Sequence, residues 1–291
     1  MAIMNKILHA QFLGNAARGL LLLLIVLLLL PRAALADLML FPTRVVLEPK
    51  QRSAQLQIIN KGDKPATYRI NVVNRRMTET GEIIAADQPQ AGEQFASNML
   101  RFSPRQVTLK PGTAQTIRIS VRKPANLAAG EYRSHLQFEQ VPDTKPAGDL
   151  EVLEQPEPGQ LSIILEATIG VSIPVIVRHG QTSANTTLEK LALEPARDNG
   201  VPTLNFAIQR DGNRSVYGDI VATYIPLSGE PMEIARVGGV AVYVPNVHRL
   251  ARLPLRLPEG TILKGGKIQL KYVEPKEAGD NVIAQSELTL P

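Results

Sequence analysis

Few residues in this 291-residue sequence have the types and spacing that catalysis needs. Of four histidines, His9 lies in the N-terminal stretch, and His135, His179 and His248 are too scattered to suggest a zinc site by spacing. Each of those three reads as a surface or half-buried ring. Cysteine is absent, which removes both a thiolate nucleophile and any disulfide. Serine is plentiful, yet no Gly-x-Ser-x-Gly elbow presents one. Gly238-Gly239 and Gly265-Gly266 lack the Gly-Lys-Ser/Thr ending of a phosphate loop and read as turns. No catalytic residue, metal or cofactor is expected, and an enzyme is the weakest of the functional readings.

What remains is the chemistry of binding another polypeptide. From Leu161 to Val177, apolar residues alternate on one face: Leu161, Ile163, Leu165, Ala167, Ile169, Val171, Ile173 and Val175. At ~3.3 Å per residue such a strand reaches roughly 55 Å, against ~17–20 Å for an ordinary one. One sandwich cannot cover both faces and both edges of it, so part should lie open or run on toward a second domain. Soluble proteins normally blunt a long apolar edge, unless the edge works by adding a strand to a partner. An ordinary edge strand that packs between domains has the same periodicity, which does not choose between the two.

The elements that would position this strand are also strands. Period-two alternation recurs at Val45, Leu47; Leu56, Ile58; Tyr68, Ile70, Val72; Ile117, Ile119, Val121; and Leu136, Phe138. Turn residues separate these runs, as at Lys110-Pro111-Gly112. Pro142 to Gln160 is rich in Pro, Glu, Gly and Asp and reads as a long mobile loop. A polar stretch at 179–185 reads as a linker, after which alternation resumes at Leu204, Phe206, Ile208; Val240, Val242, Val244; and Ile268, Leu270, Tyr272. Asp211-Gly212-Asn213 between two such runs is expected to close a β-hairpin. The reading is all-β: two immunoglobulin-like sandwiches, 37–178 and 186–291, with Val, Ile and Leu as the core.

The N-terminus has the parts of a cleaved signal peptide. Lys6 and Arg18 precede an apolar run from Leu20 to Leu30, then Pro31 and Ala34-Leu35-Ala36. The run is shorter than the ~20 residues of a membrane span, so residues 1–36 are expected to be removed on export to the periplasm. Lys6, Arg18 and Arg32 would leave with it, so 32 − 3 = 29 basic residues face 27 acidic ones, a net charge of +2. Basic and acidic residues alternate along most segments, unlike a nucleic-acid footprint.

Several stretches resemble the periplasmic chaperones of the chaperone–usher pilus pathway, often called PapD-like. They are Pro42-Thr43-Arg44-Val45-Val46-Leu47, Gln55-Leu56-Gln57-Ile58-Ile59-Asn60-Lys61-Gly62, Phe102-Ser103-Pro104, Val107-Thr108-Leu109-Lys110-Pro111-Gly112 and Gly130-Glu131-Tyr132-Arg133-Ser134-His135-Leu136. The resemblance covers roughly Leu38 to Arg178; the second half is similar in general sandwich character. It implies a chaperone that caps small secreted pilus or fimbrial subunits by donor-strand complementation and delivers them to an outer-membrane usher. By position, Ile163, Leu165, Ala167 and Ile169 would be the donated side chains. It also implies that a subunit's C-terminal carboxylate is gripped by two bases between the domains. The first matches Arg44, a residue type suited to bidentate contact with a carboxylate. The second, a Lys in the family, falls on Pro174, which has no charge and no amide donor; Arg178 is the substitute candidate. The rival reading is a structural surface-fibre or adhesin component. Such a subunit should carry a free N-terminal donor segment, whereas Leu38 to Leu47 already reads as a first strand.

Overall fold

The computed structural model describes residues 37–142, 170–196, 200–258 and 260–291. The signal-peptide reading of 1–36, nearly all of the expected mobile loop and the four donor positions lie outside the described residues. Strands dominate what is described, with two short 3-10 turns.

The alternating residues of the first half build two facing sheets. One has the order β1 (Leu38–Phe41), β3 (Ser53–Asn60), β9 (Ala114–Val121), β7 (Leu100–Ser103). The other has the order β2 (Val45–Leu47), β11 (Gly170–His179), β10 (Gly130–Val141), β4 (Ala66–Val73), β8 (Gln106–Leu109). Leu56, Ile58, Ile117 and Ile119 face Tyr68, Ile70, Leu136, Phe138 and Val175 in one core. The pairing is antiparallel except between β11 and β2, where Val175–Val177 run parallel to Val45–Leu47.

The second half forms another sandwich. Its sheets are β12 (Ala184–Glu194), β13 (Thr203–Gly212), β16 (His248–Pro254), and β15 (Met232–Val242), β14 (Val216–Ile225), β17 (Lys267–Val273), β18 (Val282–Thr289). Leu204, Phe206, Ile208, Ile220, Val242, Leu255, Ile268 and Tyr272 fill its core.

The structure corrects two readings. The Asp211-Gly212 hairpin does not form: both residues end β13, paired with Asn185 and Ala184 of β12, and the next strand, β14, belongs to the opposite sheet. Gly212 is required for another reason. Its φ is +102, and a Cβ there would run into the Ser183 carbonyl. Buried Arg210 fixes the crossing by donating to the carbonyls of Asn246, Gly212 and Arg214 at 2.8, 2.7 and 3.1 Å. Gly238-Gly239 is not a turn but a bulge inside β15, with Gly239 at φ +72 and a register slip against β14 between Gly218 and Ile220.

A small hairpin, β5 (Arg75–Met77) and β6 (Ile83–Ala85), joins the sandwiches. Its Glu79 carbonyl accepts from the Leu250 N–H at 2.7 Å, and its Met77 carbonyl accepts from Asn246 Nδ2 at 3.0 Å. Met77 is buried with Ile176, Ala241 and Tyr243 in a cluster shared by the two halves.

Candidate functional site

The alternation of β11 places Ile173, Val175 and Val177 in the first core, while Ile176 points the other way, into the shared cluster. Val171 has the phase of the core residues yet is 37% exposed. On one side β11 pairs with β10 from Gly170 to His179. On the other, β2 reaches Val175–Val177, and Gly170–Pro174 has no strand partner there among the described residues. Ile163, Leu165, Ala167 and Ile169 share the phase of Val171 in sequence and lie outside the described residues.

Arg44 immediately precedes β2, at a cleft of about 520 Å³ between the sandwiches that Glu48, Arg178, Tyr217 and Glu274 also line. Its guanidinium lies 4.3 Å from the centroid of the Tyr217 ring, and its Nε is buried without a hydrogen-bond partner among the described residues. Burial holds the Arg44 guanidinium below its ordinary value, against the fields of Tyr243 and Glu131. It remains a cation at neutral pH.

Arg178 is also at the cleft but is engaged. Its Nε donates to Glu131 Oε2 at 3.1 Å and its Nη1 to Glu48 Oε1 at 2.5 Å. Glu131 is buried and accepts two further bonds, from the Ser215 N–H at 3.2 Å and from the Ser215 hydroxyl. That hydroxyl in turn accepts from the Val244 N–H at 3.0 Å, so one carboxylate of the first sandwich organises two segments of the second. Arg133, alternate to Glu131 on β10, stacks 4.1 Å from the Tyr243 ring. Besides Arg178, the field of Glu131 reaches Arg44, Arg133 and Arg210, so one buried carboxylate serves several guanidinium groups.

The alternation of β10 explains how so many charges are buried: Tyr132, Leu136 and Phe138 enter the core, while Glu131, Arg133 and His135 share the opposite face. His135 is thus buried, not a surface or half-buried ring. Desolvation, then the charges of Arg133 and Arg75, push its pKa down to about 3. His179 is half-buried, and His248 Nε2 lies 3.2 Å from Glu79 Oε1. Sequence reasoning passed over Glu131, Ser215, Tyr217 and Tyr243. A Glu and an Arg bracketing Tyr132 on β10 were the available signal.

Two sandwiches joined along a polar seam define a two-domain immunoglobulin-like protein. Residues 37–178 match the family described as "Pili and flagellar-assembly chaperone, PapD N-terminal domain". No curated protein sequence matches the chain. Among solved structures it is similar to the Pseudomonas aeruginosa CupB2 chaperone, with 13% identity, a TM-score of 0.45, and coverage of 87% of this chain and 100% of that one. It is also similar to the CsuC–CsuE chaperone–tip adhesion subunit pre-assembly complex of Acinetobacter baumannii, with 11% identity, a TM-score of 0.42 and coverage of 88% and 98%. A third is the Salmonella enterica SafA pilin in complex with the SafB chaperone, with 12% identity, a TM-score of 0.40 and coverage of 89% and 99%.

Proposed function

We propose that this protein is a periplasmic chaperone that holds pilus or fimbrial subunits by donating a strand to them and hands them to an outer-membrane usher. The observation that carries this reading is the start of β11: apolar Val171, in phase with the core residues, is 37% exposed beside an edge that has no strand partner among the described residues. The family match over residues 37–178 supports an assembly role. Ile163, Leu165, Ala167 and Ile169 would fill the client's groove. The larger three, at about 1.5–3 kcal/mol each, supply several kcal/mol before ordering costs. The signal peptide would be cleaved after Ala36 on export.

Arg44 would take the client's C-terminal carboxylate, with its guanidinium held flat by Tyr217. Arg178 would be the second base. Its Nη1 is bonded to Glu48, whose side chain is 49% exposed, so an incoming carboxylate would displace Glu48 and find the donor already aimed. Glu131 would keep Arg178 oriented throughout.

Co-expression with a subunit tests the proposal. Replacing Ile163, Leu165 and Ile169 with aspartate should leave a folded protein by circular dichroism and abolish a soluble one-to-one complex. A complex of undiminished yield sinks the donor-strand reading, and polymerisation of the purified protein would point instead to a fibre component.

A further inference from the structure

The second sandwich holds a cavity of about 660 Å³ that neither β11 nor the inter-sandwich cleft uses. It opens between β15 and β16, consecutive strands in opposite sheets. One end is closed by the intervening turn, where the Asn246 N–H donates to the Tyr243 carbonyl at 2.8 Å. The other is closed by the Arg256 N–H donating to the Ile234 carbonyl at 2.7 Å. Between these ends the strands separate around the Gly238-Gly239 bulge, whose Gly239 N–H is held by Asp219 Oδ1 at 3.1 Å.

The walls are core residues, Phe206, Ile220, Val240 and Leu253, all buried. The rim is basic: Lys190, Arg249 and Arg252 line the cavity, and no carboxylate does among the described residues. Arg252 is held by Glu194 at 2.9 Å. Arg249 donates Nη1 to the Ala241 carbonyl at 2.8 Å and has a buried Nε without a hydrogen-bond partner among the described residues. Lys190 adopts φ +55 in a bulge of β12, a left-handed conformation that costs a non-glycine residue energy and is often retained where a side chain must be aimed. The β5–β6 hairpin completes the rim: Thr80 lines the cavity, and Gly81 packs so closely on the Arg249 guanidinium that a Cβ would collide with it.

A cavity closed at both ends cannot pass a through-running strand, and its size falls within the ~300–1,000 Å³ of small-molecule sites. Apolar walls under a cationic rim select for an apolar body bearing one negative group. We propose that this cavity binds a small amphipathic carboxylate, its hydrocarbon part between β15 and β16 and its carboxylate at Lys190 and Arg249.

Decanoate, decanol and decyltrimethylammonium are the probes, titrated into the full mature protein by calorimetry and by methyl NMR. Decanoate should bind one-to-one and shift the methyl signals of Val237, Val240, Ala251 and Leu253, with decanol at least about threefold weaker and the cation weaker still. Lys190→Asn, which tolerates the left-handed backbone, should bring decanoate close to decanol. Ala251→Phe should fill the site and remove both, with circular dichroism unchanged. Should Ala251→Phe misfold, the wild-type methyl shifts and Lys190→Asn decide the matter. Saturation absent at millimolar decanoate, equal binding of all three probes, or shifts confined to other surfaces would overturn the proposal.

Discussion

Replacing Glu131 with alanine should destabilise the protein by about 3–5 kcal/mol, the range for removing one partner of a buried ion pair. The side chain is 1% exposed and serves Arg178 Nε at 3.1 Å, the Ser215 N–H at 3.2 Å and the Ser215 hydroxyl. Alanine would leave Arg178, itself 5% exposed, with Glu48, a half-exposed partner that contributes little. It would also strand two donors of Ser215. Glutamine keeps an acceptor but not the charge, and should cost about 1.5–3 kcal/mol, the worth of a hydrogen bond to a charged group. Urea unfolding followed by far-ultraviolet circular dichroism and tyrosine fluorescence reads the effect. Because Glu131 and Ser215 act as one unit across the seam, Glu131→Ala and Ser215→Ala should be non-additive by more than about 0.5 kcal/mol. An alanine variant within about 0.5 kcal/mol of the parent, or strict additivity, would refute the view that this carboxylate joins the sandwiches.

His135 makes stability depend on pH. Its pKa is lowered on folding from 6.5 to about 3, so between those values the unfolded chain binds a proton that the folded one refuses, and stability falls as pH drops through 6.5. Going from pH 7.5 to 4.5 should therefore cost the parent up to about 3 kcal/mol more than it costs His135→Leu; parallel urea midpoints for the two proteins would contradict this. Gly212→Ala should lose about 1–3 kcal/mol, because the left-handed backbone and the Ser183 carbonyl leave no room for Cβ; thermal unfolding checks it, and an unchanged midpoint would mean that the crossing relaxes freely. Glu48→Gln weakens the competitor for Arg178 and should tighten binding of a peptide bearing a client's free C-terminal carboxylate about threefold; weaker binding in calorimetry would show that Glu48 helps the site.

The sandwiches were legible because period-two alternation is imposed by a strand with one buried face, as in Leu56, Ile58, Ile117 and Ile119. The same rule failed where a second surface intervened. On β10 the polar alternates Glu131, Arg133 and His135 look like a solvated face, but all three are buried, Glu131 and Arg133 against Ser215 and Tyr243 of the other sandwich. Asp211-Gly212 carries the local signature of a hairpin, while its glycine answers to a non-local contact with Ser183. The β5–β6 hairpin is too short to show periodicity, and its effect depends on what it meets, Leu250 and Asn246, far away in sequence. Arg44 and Arg178 were both visible as bases near strand ends. That one has a buried Nε without a partner among the described residues while the other is engaged by two carboxylates is a matter of tertiary packing.

Amide hydrogen exchange across residues 161–174, with and without a bound pilus subunit, tests the central claim most directly. If this segment is lent to the client as a strand, its amides from 161 to 169, and those of Gly170–Ile173 that face away from β10, should exchange slowly in the complex and much faster in the free protein, while those of β16 stay unchanged. Equal exchange of 161–174 in the two states, with protection appearing elsewhere on the sandwiches, would contradict the account.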